Sequence, residues 1–173
     1  MLIKCPFCKS KVDINLRKCP NCKQDIEYVN SLIQRSRQND AEAMYELGNV
    51  YENYINTLEN KYTIEYNYFF ARFLYCYINY IMISKNTQKD NYIKAKDKLF
   101  EYYPIVNELK RKYMKADEIS KTRNIIYSAY FFISKLKQND GKELIDKTII
   151  DFHFEGIKKI DFYITYLDIK KEH

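Results

Sequence analysis

Ala41-Glu42-Ala43-Met44-Tyr45-Glu46-Leu47-Gly48-Asn49-Val50-Tyr51-Glu52-Asn53-Tyr54-Ile55 repeats its apolar residues with the period of an α-helix. Ala43, Leu47, Val50 and Tyr54 make one stripe, and Met44, Gly48, Tyr51 and Ile55 lie next to it, as on a helix that buries one face. Asp40 precedes the run and can accept the unpaired amides of the first turn, so it is the expected N-cap. Gly48 costs about 1 kcal/mol relative to alanine inside a helix. That cost predicts a neighbouring helix that leaves no room for a side chain. Glu42, Tyr45, Glu46, Asn49 and Glu52 fall on the side facing away from the Leu47 stripe. A tyrosine there packs its ring while its hydroxyl seeks a partner, which makes this side the expected contact surface.

Outward from this helix the chain keeps the same character. It has 173 residues, 46% of them hydrophobic, with glycine only at Gly48, Gly141 and Gly156 and proline only at Pro6, Pro20 and Pro104. Turn punctuation that sparse excludes an all-β fold of many short strands, and the apolar content suffices for a core. The fold class expected is mainly α. Further helices are expected over 62 to 85, 89 to 103, 104 to 114, 117 to 138 and 142 to 170. Pro104 suits a first helical turn and so predicts a break between the helices on either side of it. Asn139-Asp140-Gly141 reads as a turn. Ile157, Ile160, Ile164 and Leu167 are helically spaced while Ile150, Phe152 and Phe154 alternate, so 149 to 169 stays open between helix and strand, with helix preferred.

Residues 66 to 84 hold Arg72 as their only charge and approach the length of a membrane span. Glu65, Arg72, Asn79 and Asn86 recur every seven residues, on one stripe beside Tyr68 and Tyr75. An arginine near the middle makes insertion costly. The expectation is the central helix of a soluble bundle, with no membrane contact.

The run from Asp40 to Tyr51 resembles the first helix of a Sel-like repeat, a relative of the tetratricopeptide repeat built from antiparallel helix pairs. The resemblance implies one degenerate repeat near 40 to 85, within an irregular antiparallel helical domain covering 27 to 173, and a groove between helices that receives a protein partner. Asn53, Asn56 and Asn60 stand where the family carries loop glycines, and no second copy recurs at a fixed spacing.

Toward the N-terminus the sequence reads Cys5-Pro6-Phe7-Cys8, then ten residues, then Cys19-Pro20-Asn21-Cys22. Two Cys-x-x-Cys turns can each aim two thiolates at one ion and together complete a tetrahedron. Lys11-Val12-Asp13-Ile14-Asn15 alternates polar and apolar residues, as a short strand of a hairpin should. These residues resemble the short N-terminal zinc ribbons whose turns read Cys-Pro-x-Cys-Gly; Lys9 and Lys23 replace the glycines. The expected cofactor is one structural Zn²⁺ on Cys5, Cys8, Cys19 and Cys22, in a ribbon spanning 1 to 26. Four thiolates leave no open position for water or substrate. Metal binding then supplies most of the folding free energy of so small a unit, on the order of 10 kcal/mol. No Pro/Gly/Ser linker separates ribbon from helices, so the two are expected to pack together.

Metal-spaced cysteines and the lack of a signal-peptide pattern point to a reducing, cytoplasmic setting. Cys76, inside an apolar run, is expected to be a buried small hydrophobe. Catalysis is not expected. His153 and His173 stand in no motif with a nucleophile or metal partner, no phosphate-binding glycine loop occurs, and Asp117 with Glu118 fits a helix N-terminus. The formal charge is +6, of which residues 1 to 28 carry +3, reduced to about +1 once four thiolates hold Zn²⁺. The preferred function is therefore a zinc-binding adaptor for a protein partner. The alternative is a nucleic-acid-associated protein, binding weakly through the ribbon and the basic cluster Lys110-Arg111-Lys112 with Lys115.

Overall fold

The computed structural model describes residues 2–5, 7–8, 10–13, 15–84, 90–113 and 121–138. Among them it has strands β1 (Leu2–Lys4) and β2 (Lys11–Asp13) and helices α1 (Ile26–Arg37), α2 (Ala41–Asn56), α3 (Ile64–Ile83), α4 (Asp90–Tyr113) and α5 (Lys121–Gln138). The protein is mainly helical. β1 and β2 pair antiparallel, with Leu2 opposite Asp13 and Lys4 opposite Lys11. Asn15 ends the second strand early, because its amide turns back onto the Asp13 carboxylate at 2.9 Å.

Local chemistry starts the first three helices in one way. Asp25, Asp40 and Thr63 each hold extended backbone, and their side chains accept the amides of Tyr28, Ala43 and Tyr66. The cap expected at Asp40 is there. α1 falls in the span expected to be helical, 27 to 173, although no individual helix was placed there. Its signs were present: Asp25 as cap, Ile26, Val29 and Ile33 at helical spacing, and Arg35 and Arg37 in the last turn.

α4 corrects the reading of Pro104. A single helix runs from Asp90 to Tyr113 where two were expected. Tyr92, Ala95, Leu99, Val106 and Leu109 are all buried and share one face across the proline. Pro104 itself is exposed, on the side of α4 away from that face. Continuous burial along one face outweighs the one hydrogen bond a proline removes. The helix expected over 117 to 138 is α5, described from Lys121. The turn at 139 to 141, the segment 142 to 170 with its helix-or-strand choice, and His153 and His173 all lie outside the described residues.

α3 occupies the centre. Fifteen of its twenty residues are buried, because α2, α4 and α5 all pack against it. This is why its sequence looks like a membrane span, although no helix among the described residues is long and apolar enough to cross a membrane. α2 and α3 run antiparallel, shown by Tyr45 against Tyr80 and Tyr54 against Phe69. A Cβ on Gly48 would overlap the Tyr77 ring, so the close approach expected there is real. The polar stripe through Arg72 lies partly inside the bundle. Arg72 is 1% exposed, Tyr68 and Tyr75 are buried beside it, and the guanidinium stands over the Tyr68 ring at 5.2 Å. Cys76 is fully buried, and burial raises its thiol pKa.

The polar side of α2 is likewise used inside the molecule. Tyr45 stacks on Tyr77 at 5.6 Å, and Asn49 accepts the Tyr77 hydroxyl. Glu42 accepts from Asn91 of α4, and Glu46 accepts from Tyr28 of α1 at 2.6 Å. Glu52 is buried between Lys98 at 3.0 Å and Tyr102 at 3.2 Å. The contact surface expected on this side is therefore corrected: its residues bind α1, α3 and α4. A helix with neighbours on several sides needs polar residues to hold some of them.

Candidate metal centre

The two Cys-x-x-Cys turns are closed by the same bond. The Cys5 amide donates to the Ser10 carbonyl at 3.0 Å, and the Cys19 amide donates to the Gln24 carbonyl at 2.9 Å. Each turn thereby folds its two sulfurs to one side. In the second turn Lys23 takes the left-handed conformation, φ 63°, where the resembling ribbons carry glycine. Its ammonium donates to the Pro20 carbonyl at 2.6 Å, and its amide to the Cys19 carbonyl at 2.9 Å. Lys9 lies outside the described residues.

Cys5, Cys8, Cys19 and Cys22 come together, all four sulfurs within 4.8 Å of one another. The Cys5 and Cys22 sulfurs are 3.6 Å apart and those of Cys8 and Cys19 3.5 Å. These distances are far beyond a disulfide, and all five cysteines are free. They do match a metal. A tetrahedron with sulfur about 2.3 Å from its centre has edges of about 3.8 Å. The four cysteines can therefore hold a metal ion, and a complete sulfur tetrahedron suits a thiophilic one.

Electrostatics divides the four thiols. Burial pushes the Cys8 pKa up, but hydrogen bonds from Ser10 and Asn21 outweigh it and hold the thiol at about 6. Cys19 is also lowered: burial opposes this, and the Ser10 hydroxyl with the amides of Cys22 and Asn21 prevails. Burial raises Cys5 and Cys22. Four thiols this close cannot all ionise without a cation, and a divalent ion lets them. Ser10 was not singled out in the sequence, since a serine between cysteines carries no pattern. Its hydroxyl lies 3.0 Å from the Cys8 sulfur and 3.4 Å from the Cys19 sulfur, placed to donate to either thiolate.

Phe7 ties this centre to the helices. The residue is fully buried, packed 4.9 Å from the Tyr54 ring, 6.0 Å from Phe69 and 6.5 Å from Tyr51. The single proton of the Tyr54 hydroxyl is shared between the Phe7 carbonyl at 3.1 Å and the Glu65 carboxylate at 2.8 Å. Burial and Glu65 raise the Tyr54 pKa, keeping that hydroxyl a donor. The packing expected from the missing linker is thus present. The one sequence sign of Phe7 was a large aromatic at the position where the second turn has Asn21.

The basic run Lys110-Arg111-Lys112 does not act as one patch. Lys110 sits over the Tyr130 ring of α5 at 3.8 Å, whereas Lys112 turns to Glu108 and the Tyr62 ring on the other flank. Arg111 is exposed, and Lys115, Asp117 and Glu118 lie outside the described residues. No protein-family model, no curated protein and no solved structure matches this chain.

Proposed function

We propose that the chain is a non-enzymatic, cytoplasmic binding protein in which a zinc ribbon serves as a structural element of a helical bundle. The single observation that carries this reading is the four-sulfur cluster, which has the edge lengths of a Zn–S tetrahedron. Four thiolates fill the coordination sphere, so the ion holds the two turns together and offers no site for a substrate. The test is metal analysis of protein expressed with zinc, where one equivalent per chain is expected. Substantially less than one equivalent, or iron in its place, overturns it.

In the adaptor reading a protein partner contacts the helices. The antiparallel α2–α3 pair supports the Sel-like resemblance, with 1–26 as ribbon and 27–173 as helical domain. The surface must lie outside the Tyr45–Asn49 side, which α1, α3 and α4 occupy. Affinity capture from the native host, with a parallel nuclease-treated sample, tests it. A stoichiometric protein recovered in both samples supports the adaptor. Recovery only without nuclease favours the second reading, a nucleic-acid-associated protein, for which the charge of α4 and α5 is the specific observation.

A further inference from the structure

Positive charge is concentrated in the last two described helices. α4 holds six Lys/Arg and four Asp/Glu, and α5 holds four Lys/Arg and no carboxylate, so together they carry +6, equal to the formal charge of the whole chain. The carboxylates of α4 are largely set to one flank. Asp97, Glu101 and Glu108 share a stripe, on which Glu101 pairs with Lys98, and Glu108 with Lys112 and Tyr62. The flank toward α5 carries Lys96, Phe100, Tyr103 and Lys110 instead, again at helical spacing.

The two helices run antiparallel, so these residues meet an aromatic and basic edge of α5. Lys137 lies 4.9 Å from the Tyr103 ring and 5.7 Å from Phe100, and Lys110 lies 3.8 Å from Tyr130 and 5.4 Å from Phe131. One turn apart on the outer side of α5 stand Arg123, Tyr127 and Phe131, the guanidinium 5.4 Å from the Tyr127 ring. Phe131 is 39% exposed, an unusual place for phenylalanine on a helix with a complete buried face of its own. Cations interleaved with accessible rings, and no carboxylate among the described residues of the seam, match one ligand chemistry. A phosphate backbone meets the cations and unstacked bases meet the rings.

We propose that the α4–α5 seam binds single-stranded nucleic acid without sequence preference. Lys96, Lys110 and Lys137 contact phosphates, while Phe131 and Tyr127 stack bases. A duplex keeps its bases stacked on each other and offers the rings nothing, and an anionic membrane offers phosphate alone. The proposal rests on the second reading above, a nucleic-acid-associated protein, and is independent of the metal.

The test is fluorescence anisotropy of the full zinc-loaded chain with a short labelled single-stranded RNA near physiological salt, against the matching duplex and phosphatidylserine-rich vesicles as competitors. Binding to the single strand is expected to exceed binding to duplex. Changing Lys96, Lys110 and Lys137 together to alanine should weaken it and flatten the salt dependence by about 2 in log–log slope, for three lost phosphate contacts. The triple arginine variant should restore binding, since it keeps the charge. Phe131→Leu, which keeps an apolar side chain of similar size, should weaken binding about 5- to 160-fold, the range for a lost stacked base. Wild-type protein that does not bind, seam variants that bind as wild type, or vesicles and duplex that compete as well as the single strand would each overturn the proposal. Zinc content and protein capture, measured on the same variants, report separately on the function proposed above.

Discussion

The two cysteine turns share a backbone and differ in one side chain. Both read Cys-Pro-x-Cys, both are closed by an amide of the first cysteine onto the carbonyl five residues on, and both supply two sulfurs. At the variable position the first has Phe7, fully buried among three aromatic rings of α2 and α3, and the second has Asn21, exposed. Spacing of the cysteines dictates the metal site. The residue between them decides which turn docks. The first turn therefore belongs to two clusters at once, the four sulfurs and the buried helical core, and the second to the sulfurs alone.

Removing the ion tests both turns and has the largest expected effect. If the cluster holds zinc as proposed, Cys19→Ser, or a strong chelator, should abolish zinc retention and unfold the N-terminal turns, because binding free energy on the order of 10 kcal/mol is then folding free energy there. Helical circular dichroism should persist at room temperature with a lowered melting temperature, since Phe7 no longer docks. Complete loss of helicity would show that the helices have no stability of their own. Phe7→Ala comes next. It should cost the bundle about 3–5 kcal/mol for a buried aromatic. Because those contacts exist only when the turn is closed, zinc affinity must fall by the same linkage. Competition with a chromophoric chelator checks this, and unchanged affinity would mean that the turn keeps its shape undocked.

Tyr54→Phe should be milder, about 1 kcal/mol, since the ring stays and only the proton shared by Glu65 and the Phe7 carbonyl is lost. Denaturant midpoints of the zinc-loaded protein would measure it; a loss as large as that of Phe7→Ala would place the coupling in the hydroxyl instead of the ring. Asn21→Ala has the smallest expected effect, within about 0.5 kcal/mol on thermal stability as for an exposed residue. Its side chain supports the Cys8 thiolate, so a slight loss of zinc affinity is the readout to watch. A destabilisation comparable to Phe7→Ala would erase the distinction between the turns.

What was legible in the sequence was what short spacing dictates. Four cysteines, the Asp40 cap and the close contact at Gly48 each follow from a few neighbouring residues, and each is in place. What failed depended on the number of neighbours an element has. Pro104 reads as a break from its own chemistry, yet the buried face of α4 carries the helix through it. Tyr45, Asn49 and Glu52 read as a surface, because one helix in isolation does not reveal that α3 and α4 will cover its polar side. Phe7 went unweighted for the same reason. Its partners lie more than forty residues away, in α2 and α3.

The enclosure of α3 sets a schedule for synthesis. α2 is made before α3 and can cover one side as it emerges, but α4 and α5 end fifty-five residues after Ile83. At about 5–20 residues per second the remaining sides of α3 stay uncovered for roughly 3–11 seconds on the ribosome. Over that interval Phe70 and Phe73 lack Tyr102 of α4, and the least polar of the described helices is exposed to whatever binds apolar segments. Arg72 and the tyrosine hydroxyls, awkward to bury later, keep the waiting helix hydrated. Ribosome-bound chains stalled once Ile83 has cleared the exit tunnel should therefore capture chaperone, and chains stalled once α5 has cleared it should release it.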